Sequence, residues 1–257
     1  NSLIKKYTFY ICYNHKAMLP VCIASFISNK KWVYHNHDIS DKPDRFGFNL
    51  ILKWIEKWLI NKSDLVVIPQ FERARYFENN LGLKNNPLII YNCPLVNWPK
   101  NKVHSEISKF YQKYKIIVYQ GDLNWKRGLK NIILSMEFWD EDWLLCLVGK
   151  CDLENNFKEE AKELHSSVHS KAKLLILPPQ DYYSLSSVTS FCKVGLAVME
   201  SNSENLNIKM LGGASNKVAE YMACGLPILA PTNGYYDDIF SKYNCGFILN
   251  PKDFKSS

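Results

Sequence analysis

Residues 215–230 read SNKVAEYMACGLPILA and carry the most informative pattern in the sequence. Its pattern predicts a loop, then a short helix, then a buried parallel strand. Ser215 can cap the helix with its side-chain oxygen, Gly225 sits where a left-handed residue ends a helix, and Pro227 cannot prolong it. The apolar run at the end of the stretch supplies the strand. Three apolar residues recur at helical spacing and are expected to face inward: Val218, Tyr221 and Met222.

An anion site is predicted where this helix begins. Gly212 and Gly213 lead into it, and the free amides and dipole of a helix N-terminus favour an anion. Lys217 adds a positive charge, and Glu220 lies one turn further on, where a carboxylate can reach a hydroxyl. This pattern suits a nucleotide, with its diphosphate at the helix tip and its ribose on the glutamate. The alternative is a structural segment in which Lys217 and Glu220 are solvated, and spacing alone favours that alternative.

Strand-like and helix-like segments alternate along the whole sequence in two runs. A polar, proline-bearing stretch at residues 92–101 separates the runs and is predicted to be a linker. Nearly continuous apolar strands alternating with helices indicate parallel sheets covered on both faces. We therefore predict an α/β protein with two Rossmann-like domains, residues 1–97 and 98–257, facing across a cleft. The predicted strands are residues 7–12, 31–34, 65–68, 88–91, 116–119, 143–148, 174–177, 194–199, 228–230 and 247–249.

Residues 216–227 resemble the donor-site signature of the retaining GT-B glycosyltransferases of the family-four group. The resemblance covers nearly the whole chain. Residues 32–38, WVYHNHD, look like the acceptor-domain strand that ends in a histidine followed by an acid. The resemblance implies the GT-B fold, with a partial acceptor-side domain first and a donor-binding domain second. It also implies that the family's opening strand, its glycine-rich acceptor loop and its C-terminal helices are missing, so that the sequence is cut at both ends.

The resemblance further implies transfer of a sugar from a nucleotide-diphosphate donor to a glycan or lipid-linked acceptor, with retention of the anomeric configuration. Glu220 matches the glutamate that binds the donor ribose. The nucleotide sugar is the donor substrate, and no cofactor is expected. The implied donor-binding residues are Gly121, Arg127, Gly149, Ser215, Asn216, Lys217 and Glu220.

A physical argument that does not depend on the resemblance also predicts that Gly121 and Arg127 bind a phosphate. A glycine after a strand lets the backbone approach a phosphate, and an arginine at a helix entrance can bridge two phosphate oxygens. The alternative is an ordinary strand–loop–helix turn with a surface arginine. Many relatives carry arginine directly after the glycine, whereas this sequence has Asp122. Arg127 and Lys217 must then carry most of the positive charge.

Two turns that close the next strands are expected to line the pocket for the nucleotide base. They are Gly149-Lys150 and the run of two prolines and a glutamine at residues 178–180. Either can instead be a simple turn.

His37 is the residue that the resemblance places against the transferred sugar, as a catalytic group. It lies in a dense cluster with His35 and Asp38, so a metal site is an alternative, but the cluster shows no third ligand. No divalent metal is expected, on the premise that no Asp-x-Asp motif appears and because cationic side chains can stabilise a departing diphosphate.

The sugar-facing side departs from the family pattern at Gly212. Family-four enzymes commonly carry a glutamate eight positions before the residue matched by Glu220, and Gly212 stands there in this sequence. This side of the site is therefore unusual, or is built from backbone amides around Gly212 and Gly213.

Composition sets broad limits on partners. The chain has 257 residues, 47% hydrophobic and 22% charged, which is ordinary for a globular protein and enough for two modest domains. Its formal net charge of +7 is compatible with phosphates, anionic sugars or a peripheral membrane contact at the inner face. A lysine-rich composition without any such partner is the simpler explanation. Because the lysines are spread along the chain, no nucleic acid is expected.

Cysteine usage predicts a reduced, cytoplasmic location. The eight cysteines form no Cys-x-x-Cys pair, and several lie in apolar strand-like runs. No apolar run is long enough to span a membrane, and no signal peptide leads the sequence. Two other functions fit the same fold: a nucleotide-sugar epimerase, and a non-catalytic protein that binds a sugar nucleotide.

Overall fold

The computed structural model describes residues 8–39, 48–98, 106–151, 156–198, 206–210, 212–232 and 234–249. The chain divides into two compact units. The first comprises Asn1–Asn92 and Glu204–Ala214, and the second comprises Cys93–Ser203 and Ser215–Ser257. The observed division therefore falls before the boundary predicted at residue 97, and a short later segment joins the first unit.

The first unit contains a parallel sheet with the strand order β1-β2-β3-β4. All four strands predicted here are confirmed, with their described ends shifted by no more than two residues; residue 7, where the first was predicted to begin, lies outside the described residues. In the β1–β2 register, Tyr13 lies opposite His35, so the carboxyl ends of these strands bring the two rings together. The strands are β1 (Phe9–Tyr13), β2 (Lys31–His35), β3 (Leu65–Ile68) and β4 (Leu88–Ile89).

The second unit contains a six-stranded parallel sheet of Rossmann order. Its strands are β5 (Lys115–Gln120), β6 (Trp143–Val148), β7 (Lys173–Leu177), β8 (Val194–Leu196), β9 (Ile228–Pro231) and β10 (Gly246–Leu249). The spatial order is β10-β9-β8-β5-β6-β7, so the direction of winding reverses between β5 and β8. The six predicted strands are confirmed, except that β8 ends before residues 197–199, of which residue 199 lies outside the described residues.

Helices connect the strands in both units, as expected for parallel sheets. A π-helical turn, Phe77–Leu81, continues the helix Phe71–Tyr76. In chain order the helices are α1 (Met18–Ser28), α2 (Phe48–Leu59), α3 (Phe71–Tyr76), α4 (Leu129–Ser135), α5 (Phe157–Ser167), α6 (Tyr182–Thr189), α7 (Leu206–Lys209), α8 (Asn216–Ala223) and α9 (Gly234–Tyr243).

The core of the second unit lies on both faces of its sheet. Ile116 and Val118 of β5 pack into one apolar cluster together with Tyr221 of α8. Ile117 and Tyr119, which alternate with them, pack into a second cluster on the other face. Because both faces are covered, the apolar residues of β5 form an unbroken run, which is why the sequence predicted this strand.

The helix α8 follows its prediction in extent but not in two details. Gly225 has a φ of +68° directly after the C-cap and ends the helix as expected. Ser215 occupies the N-cap position, but its side chain makes no capping hydrogen bond, so that prediction is wrong. Met222 is exposed, because it lies about 100° around the helix from the buried Tyr221.

The described part of the predicted linker is fixed to the second unit. The indole Nε1 of Trp98 donates to the carbonyl oxygen of Tyr182 at 2.9 Å, and the amide of Leu95 donates to the Tyr182 hydroxyl at 2.9 Å. Trp98 is buried. The polar composition of this stretch therefore does not make it a free linker, since a buried tryptophan anchors it at the start of α6.

No helix in the described ranges combines the length and the apolar character needed to cross a bilayer. All eight cysteines are free thiols.

Candidate functional site

The backbone is tightly packed where β5 and β6 end. Gly121 follows β5 with a φ of +135°, and Gly149 follows β6 with a φ of +155°. The amide of Gly121 donates to the carbonyl oxygen of Val148 at 3.0 Å. A Cβ added to Gly149 would lie 1.7 Å from the carbonyl oxygen of Gly121. Only glycine fits at residue 149, because the two strand ends touch there through their main chains.

The first turn of α8 brings a cation to the end of β5. The ammonium Nζ of Lys217 lies 3.9 Å from the centroid of the Tyr119 ring, and a Cβ added to Gly121 would lie 3.3 Å from it. Burial lowers the pKa of Lys217 to about 7, and the positive charge of Arg127 adds to this effect, while two nearby carboxylates oppose it. A negatively charged ligand beside this lysine would therefore favour its charged form.

Arg127 already has a partner in this structure. Its guanidinium Nη2 lies 3.2 Å from a carboxylate oxygen of Asp122, and the Asp122 side chain is 63% exposed. An ion pair whose carboxylate is this exposed is worth little free energy, so a phosphate can replace the carboxylate. Asp122, at which the sequence departs from the pattern of the resemblance, is thus an ion-pair partner of Arg127.

Glu220 is held by a buried glutamine at the end of β5. The side-chain amide of Gln120 donates through Nε2 to Glu220 Oε2, and its Oε1 accepts a hydrogen bond from the hydroxyl of Thr189 at 2.8 Å. Burial raises the pKa of Glu220, whereas the hydrogen bond from Gln120 and the charge of Lys217 lower it. Lys217 and Glu220 are thus both partly buried rather than fully solvated, and whether they bind a ligand stays a prediction.

Sequence reasoning missed both Gln120 and Thr189. The available signal was a polar residue at the end of the apolar strand IIVYQ, at residues 116–120. A buried side-chain amide in such a place needs partners, and those partners mark a network.

Tyr221 packs α8 against the two neighbouring strands β5 and β8. Its ring lies so close to β8 that a Cβ on Gly195 would be 2.4 Å from a ring carbon. The hydroxyl accepts a hydrogen bond from the Gln120 amide at 3.1 Å and lies 3.3 Å from the carbonyl oxygens of Val118 and Leu196. Ligands of open α/β sheets bind outside the strand ends at this reversal point. The structure thus brings Gly121, Arg127, Lys217 and Glu220 to the place where such a ligand is expected.

The residues around the start of α8 are divided between the two units. Ser215 is buried and Asn216 is exposed at the first position of the helix. The preceding turn, Gly212–Ala214, belongs to the first unit, where the amide of Ala214 donates to Oε1 of Gln70 at 2.9 Å. A role for the backbone amides of this turn in binding the sugar stays a prediction.

His37 belongs to the first unit and is exposed. Its amide donates to Oδ1 of Asn14 at 2.7 Å, and its carbonyl oxygen accepts from the buried guanidinium of Arg73. The rings of His35 and His37 lie with their centroids 4.3 Å apart. Burial and the neighbouring His37 lower the pKa of His35. The backbone of His37 is thus held from two sides, and its catalytic role stays a prediction.

The premise that no Asp-x-Asp motif appears is wrong, because residues 140–142 form one, but this motif precedes β6. Asp142 is paired with Lys115 at 2.6 Å, at the amino end of the sheet and opposite Gly121 and Gly149. Within the ranges that the structure describes, no three His, Cys, Asp or Glu side chains are grouped as metal ligands.

The turn after β7 has a structural role. Nε2 of Gln180 donates to the carbonyl oxygen of Pro178 at 2.9 Å. Asp181 then caps α6 by accepting from the amides of Tyr183 and Ser184 at 3.0 and 3.1 Å. A contact of this turn, or of Gly149-Lys150, with a nucleotide base stays a prediction.

Residues 100–257, more than half of the chain, match the sequence model of the family described as glycosyl transferases group 1. The chain belongs to this family. No curated protein sequence matches it.

Several solved structures share the fold of this group 1 family member. Anabaena Alr3699/HepE in complex with UDP has a TM-score of 0.72 and 20% identity, over 97% of this chain and 66% of its own. A glycosyltransferase from Rickettsia africae ESF-5 has a TM-score of 0.70 and 17% identity, over 99% of this chain and 66% of its own. Sucrose-phosphate synthase from Thermosynechococcus elongatus has a TM-score of 0.68 and 15% identity, over 97% of this chain and 62% of its own.

These likenesses show the fold. The predicted fold class is confirmed: the chain is an α/β protein with two parallel sheets of the GT-B glycosyltransferase type. The chain spans just under two thirds of the length of these solved relatives.

Proposed function

We propose that this family member transfers a sugar from a nucleotide-diphosphate donor to a saccharide or lipid-linked acceptor, with retention of the anomeric configuration. The observation that carries the proposal is the gathering of Lys217, Arg127 and Glu220 at the reversal point of the second sheet. Solved relatives of the same fold are complexes with UDP and with UDP-glucose.

The proposed role of the two cations is to stabilise the departing diphosphate. In the transfer, the bond from the anomeric carbon to the phosphate oxygen breaks and its electron pair leaves with the diphosphate. The acceptor hydroxyl forms the new bond and gives up its proton. Lys217, Arg127 and the amino end of α8 offset the charge that develops on the diphosphate, which makes neither a metal nor another cofactor necessary. A lysine with a pKa near 7 gains a full charge when the diphosphate binds beside it.

The remaining predicted residues take supporting roles in this proposal. Gly121 and Gly149 let the backbone approach the diphosphate, and Ser215 and Asn216 offer their backbone amides to it. Glu220 accepts a hydrogen bond from the donor ribose. His37 contacts the transferred sugar.

The replacement Glu220→Ala tests this donor site. A hydrogen bond to a charged acceptor contributes about 1.5–3 kcal/mol, so we expect affinity for the bound nucleotide to fall by about tenfold or more. The measurement is calorimetric titration of the 257-residue chain with UDP and with GDP. Glu163→Ala is the matched control, because Glu163 is an exposed glutamate on α5.

Equal affinity in the wild type and Glu220→Ala would remove Glu220 from the site, and no binding of either nucleotide to the folded chain would contradict the proposal. Turnover separates the two other functions. Conversion of a nucleotide sugar without an acceptor would identify an epimerase. Binding without turnover, in the presence of acceptors, would identify a non-catalytic protein.

We also propose that α2 contacts an anionic membrane surface. Three large apolar side chains form a stripe on its exposed face: Ile51 (56% exposed), Trp54 (67%) and Trp58 (58%). Lys57 is exposed on the same helix, and the ammonium of the exposed Lys62 lies 5.6 Å from the centroid of the Trp58 ring. Tryptophans beside lysines are typical of helices that lie in the membrane interface.

The charges of this helix favour a membrane with anionic lipids. The one acidic residue of α2, Glu56, is buried and accepts a hydrogen bond from the Tyr34 hydroxyl. The neighbouring α1 adds exposed apolar side chains and has no acidic residue: Leu19, Ile23, Phe26 and Ile27. Taken together, α1 and α2 carry exposed apolar side chains and lysines but no exposed carboxylate in their described residues, which suits a surface of anionic headgroups.

The double replacement of Trp54 and Trp58 by alanine tests this contact. Because each tryptophan would bury much of its side chain in the interface, we expect binding to vesicles containing phosphatidylglycerol to weaken by about tenfold or more. Co-sedimentation with vesicles is the measurement. Phe138→Ala removes an equally exposed aromatic ring in the second unit and serves as the control. Equal binding of the wild type and the double variant, or no binding of the wild type, would refute the contact.

A further inference from the structure

We infer that Gln120 is a positioning residue that holds Glu220 away from Lys217 and aims it at the donor ribose, and that Thr189 sets the direction of Gln120. The inference rests on the proposed donor site. It adds two residues to that site and explains why its cation and its carboxylate stay separate.

The orientation of Gln120 is fixed at its buried end. A side-chain amide has a donor end and an acceptor end. A neighbour that forms a hydrogen bond with one end therefore decides which end faces the opposite direction. The hydroxyl of the fully buried Thr189 lies 2.8 Å from Gln120 Oε1 and donates to it. That hydroxyl also lies 2.8 Å from the carbonyl oxygen of Leu185 in its own helix. Among the described residues, Oε1 of Gln120 has no other hydrogen-bond donor. This favours donation by the Thr189 hydroxyl to Gln120 over donation to Leu185.

With its oxygen committed to Thr189, Gln120 presents its nitrogen to Glu220. The nitrogen donates to Glu220 Oε2. Among the described residues, the other carboxylate oxygen, Oε1, accepts no hydrogen bond. A carboxylate tied by one oxygen and open at the other is arranged to accept a ligand hydroxyl.

Glu220 and Lys217 are three positions apart on one helix, a spacing at which opposite charges commonly pair. They form no ion pair here. Lys217 instead lies over the ring of Tyr119, and Glu220 is bound to Gln120, so two consecutive residues of β5 keep the charges apart. The separation leaves the ammonium for the diphosphate and the carboxylate for the ribose. Without Gln120, the carboxylate is free to turn onto the ammonium, and both groups are then less available.

The inference is tested by measuring how strongly each variant senses the ribose hydroxyls. The probes are UDP or GDP, whichever binds more tightly, and its dideoxy form, which lacks both ribose hydroxyls. We expect the wild type to prefer the hydroxylated nucleotide by about tenfold. We expect Gln120→Leu to bring that ratio close to one, and the nearly isosteric Thr189→Val to give an intermediate ratio, because the amide can then turn around.

A second readout is the pH dependence of nucleotide affinity. If Glu220 turns onto Lys217 in Gln120→Leu, the lysine stays charged to higher pH. The pH at which affinity begins to fall should then be higher in this variant than in the wild type. A purely structural defect would not move it. Gln112→Leu, at an exposed glutamine, is the matched control, and thermal unfolding shows whether each variant is folded.

The outcomes separate the inference from the proposal on which it rests. If the wild type does not distinguish the two nucleotides, or if Glu220→Ala keeps the wild-type affinity, the proposed donor site itself fails. The other case is that the wild type prefers the hydroxylated nucleotide and Glu220→Ala loses affinity. If Gln120→Leu then keeps the wild-type affinity ratio and pH profile, only the positioning role is overturned. Because Thr189→Val changes a single hydroxyl to a methyl group, it allows the same decision even if Gln120→Leu folds poorly.

Discussion

Replacement of Lys217 by methionine is expected to weaken nucleotide-diphosphate binding by about a hundredfold and at the same time to raise thermal stability. The loss of affinity follows from the removal of a cation that lies beside Gly121 at the end of β5. Bonds from a charged donor contribute about 1.5–3 kcal/mol, and the upper end applies because Lys217 is partly shielded from water.

The gain in stability follows from the lowered pKa of Lys217. Between about pH 7 and 10.5 the unfolded chain holds a proton on this lysine that the folded chain has lost, so stability rises with pH over that window. Below about pH 7 the full cost of keeping a charged lysine in the folded protein is present. Methionine has a similar length and no charge, so we expect its midpoint of thermal unfolding at pH 7 to be about 3 °C higher or more.

The pH dependence of binding gives an independent measurement. The last pKa of a phosphate group is about 6, so above about pH 7 the ligand is almost fully charged and its titration does not mask that of the lysine. We expect wild-type affinity to fall as the pH rises above about 7, by up to about tenfold per unit, because the neutral lysine does not attract the diphosphate. Lys217→Met should show no such slope. Lys162→Met, at an exposed lysine of α5, should keep the wild-type affinity, slope and midpoint. A variant that loses stability without losing affinity would show that Lys217 has a structural role instead.

The fold was predictable because its strands are local features of the sequence. Strands of a parallel sheet covered on both faces are apolar runs, so β6 at Trp143–Val148 was predicted with both ends correct. The end of α8 was equally local, because Gly225 adopts a left-handed conformation that few other residues accept. The assignment of Glu204–Ala214 to the first unit was not predictable in this way. It depends on contacts such as that between Ala214 and Gln70, which lie 144 positions apart.

The candidate site was predictable only in part. Spacing and resemblance identified Lys217 and Glu220, but they left open whether these side chains are solvated. That question depends on how far the two side chains are buried near the end of β5. This burial changes the pKa of both residues. Gln120 and Thr189 were missed because their pairing joins the end of a strand to the end of a helix in a later part of the chain. Nothing in either local pattern indicates the other residue.

Replacement of Gly149 by alanine is expected to destabilise the second unit by more than about 4 kcal/mol, a loss of the size seen when a core contact is severely overpacked or strained. The new Cβ would lie 1.7 Å from the carbonyl oxygen of Gly121 and 2.8 Å from its carbonyl carbon. Both are main-chain atoms at the end of β5, so no side-chain rotation can relieve the clash. The φ of +155° at this residue adds strain for any residue with a Cβ.

Gly225→Ala is the matched control for this prediction, because it separates backbone strain from the clash. Gly225 also has a positive φ, +68°, but a Cβ there would have no heavy atom within 4 Å. Gly225→Ala should therefore lower the free energy of unfolding by only about 1–2 kcal/mol, the usual cost of the left-handed conformation. Chemical denaturation followed by circular dichroism measures both variants. If Gly149→Ala were no less stable than Gly225→Ala, the ends of β5 and β6 would have to separate at little cost. The rigid platform on which Gly121 meets Lys217 would then not exist, and diphosphate binding would have to depend on the lysine and arginine side chains without a fixed backbone.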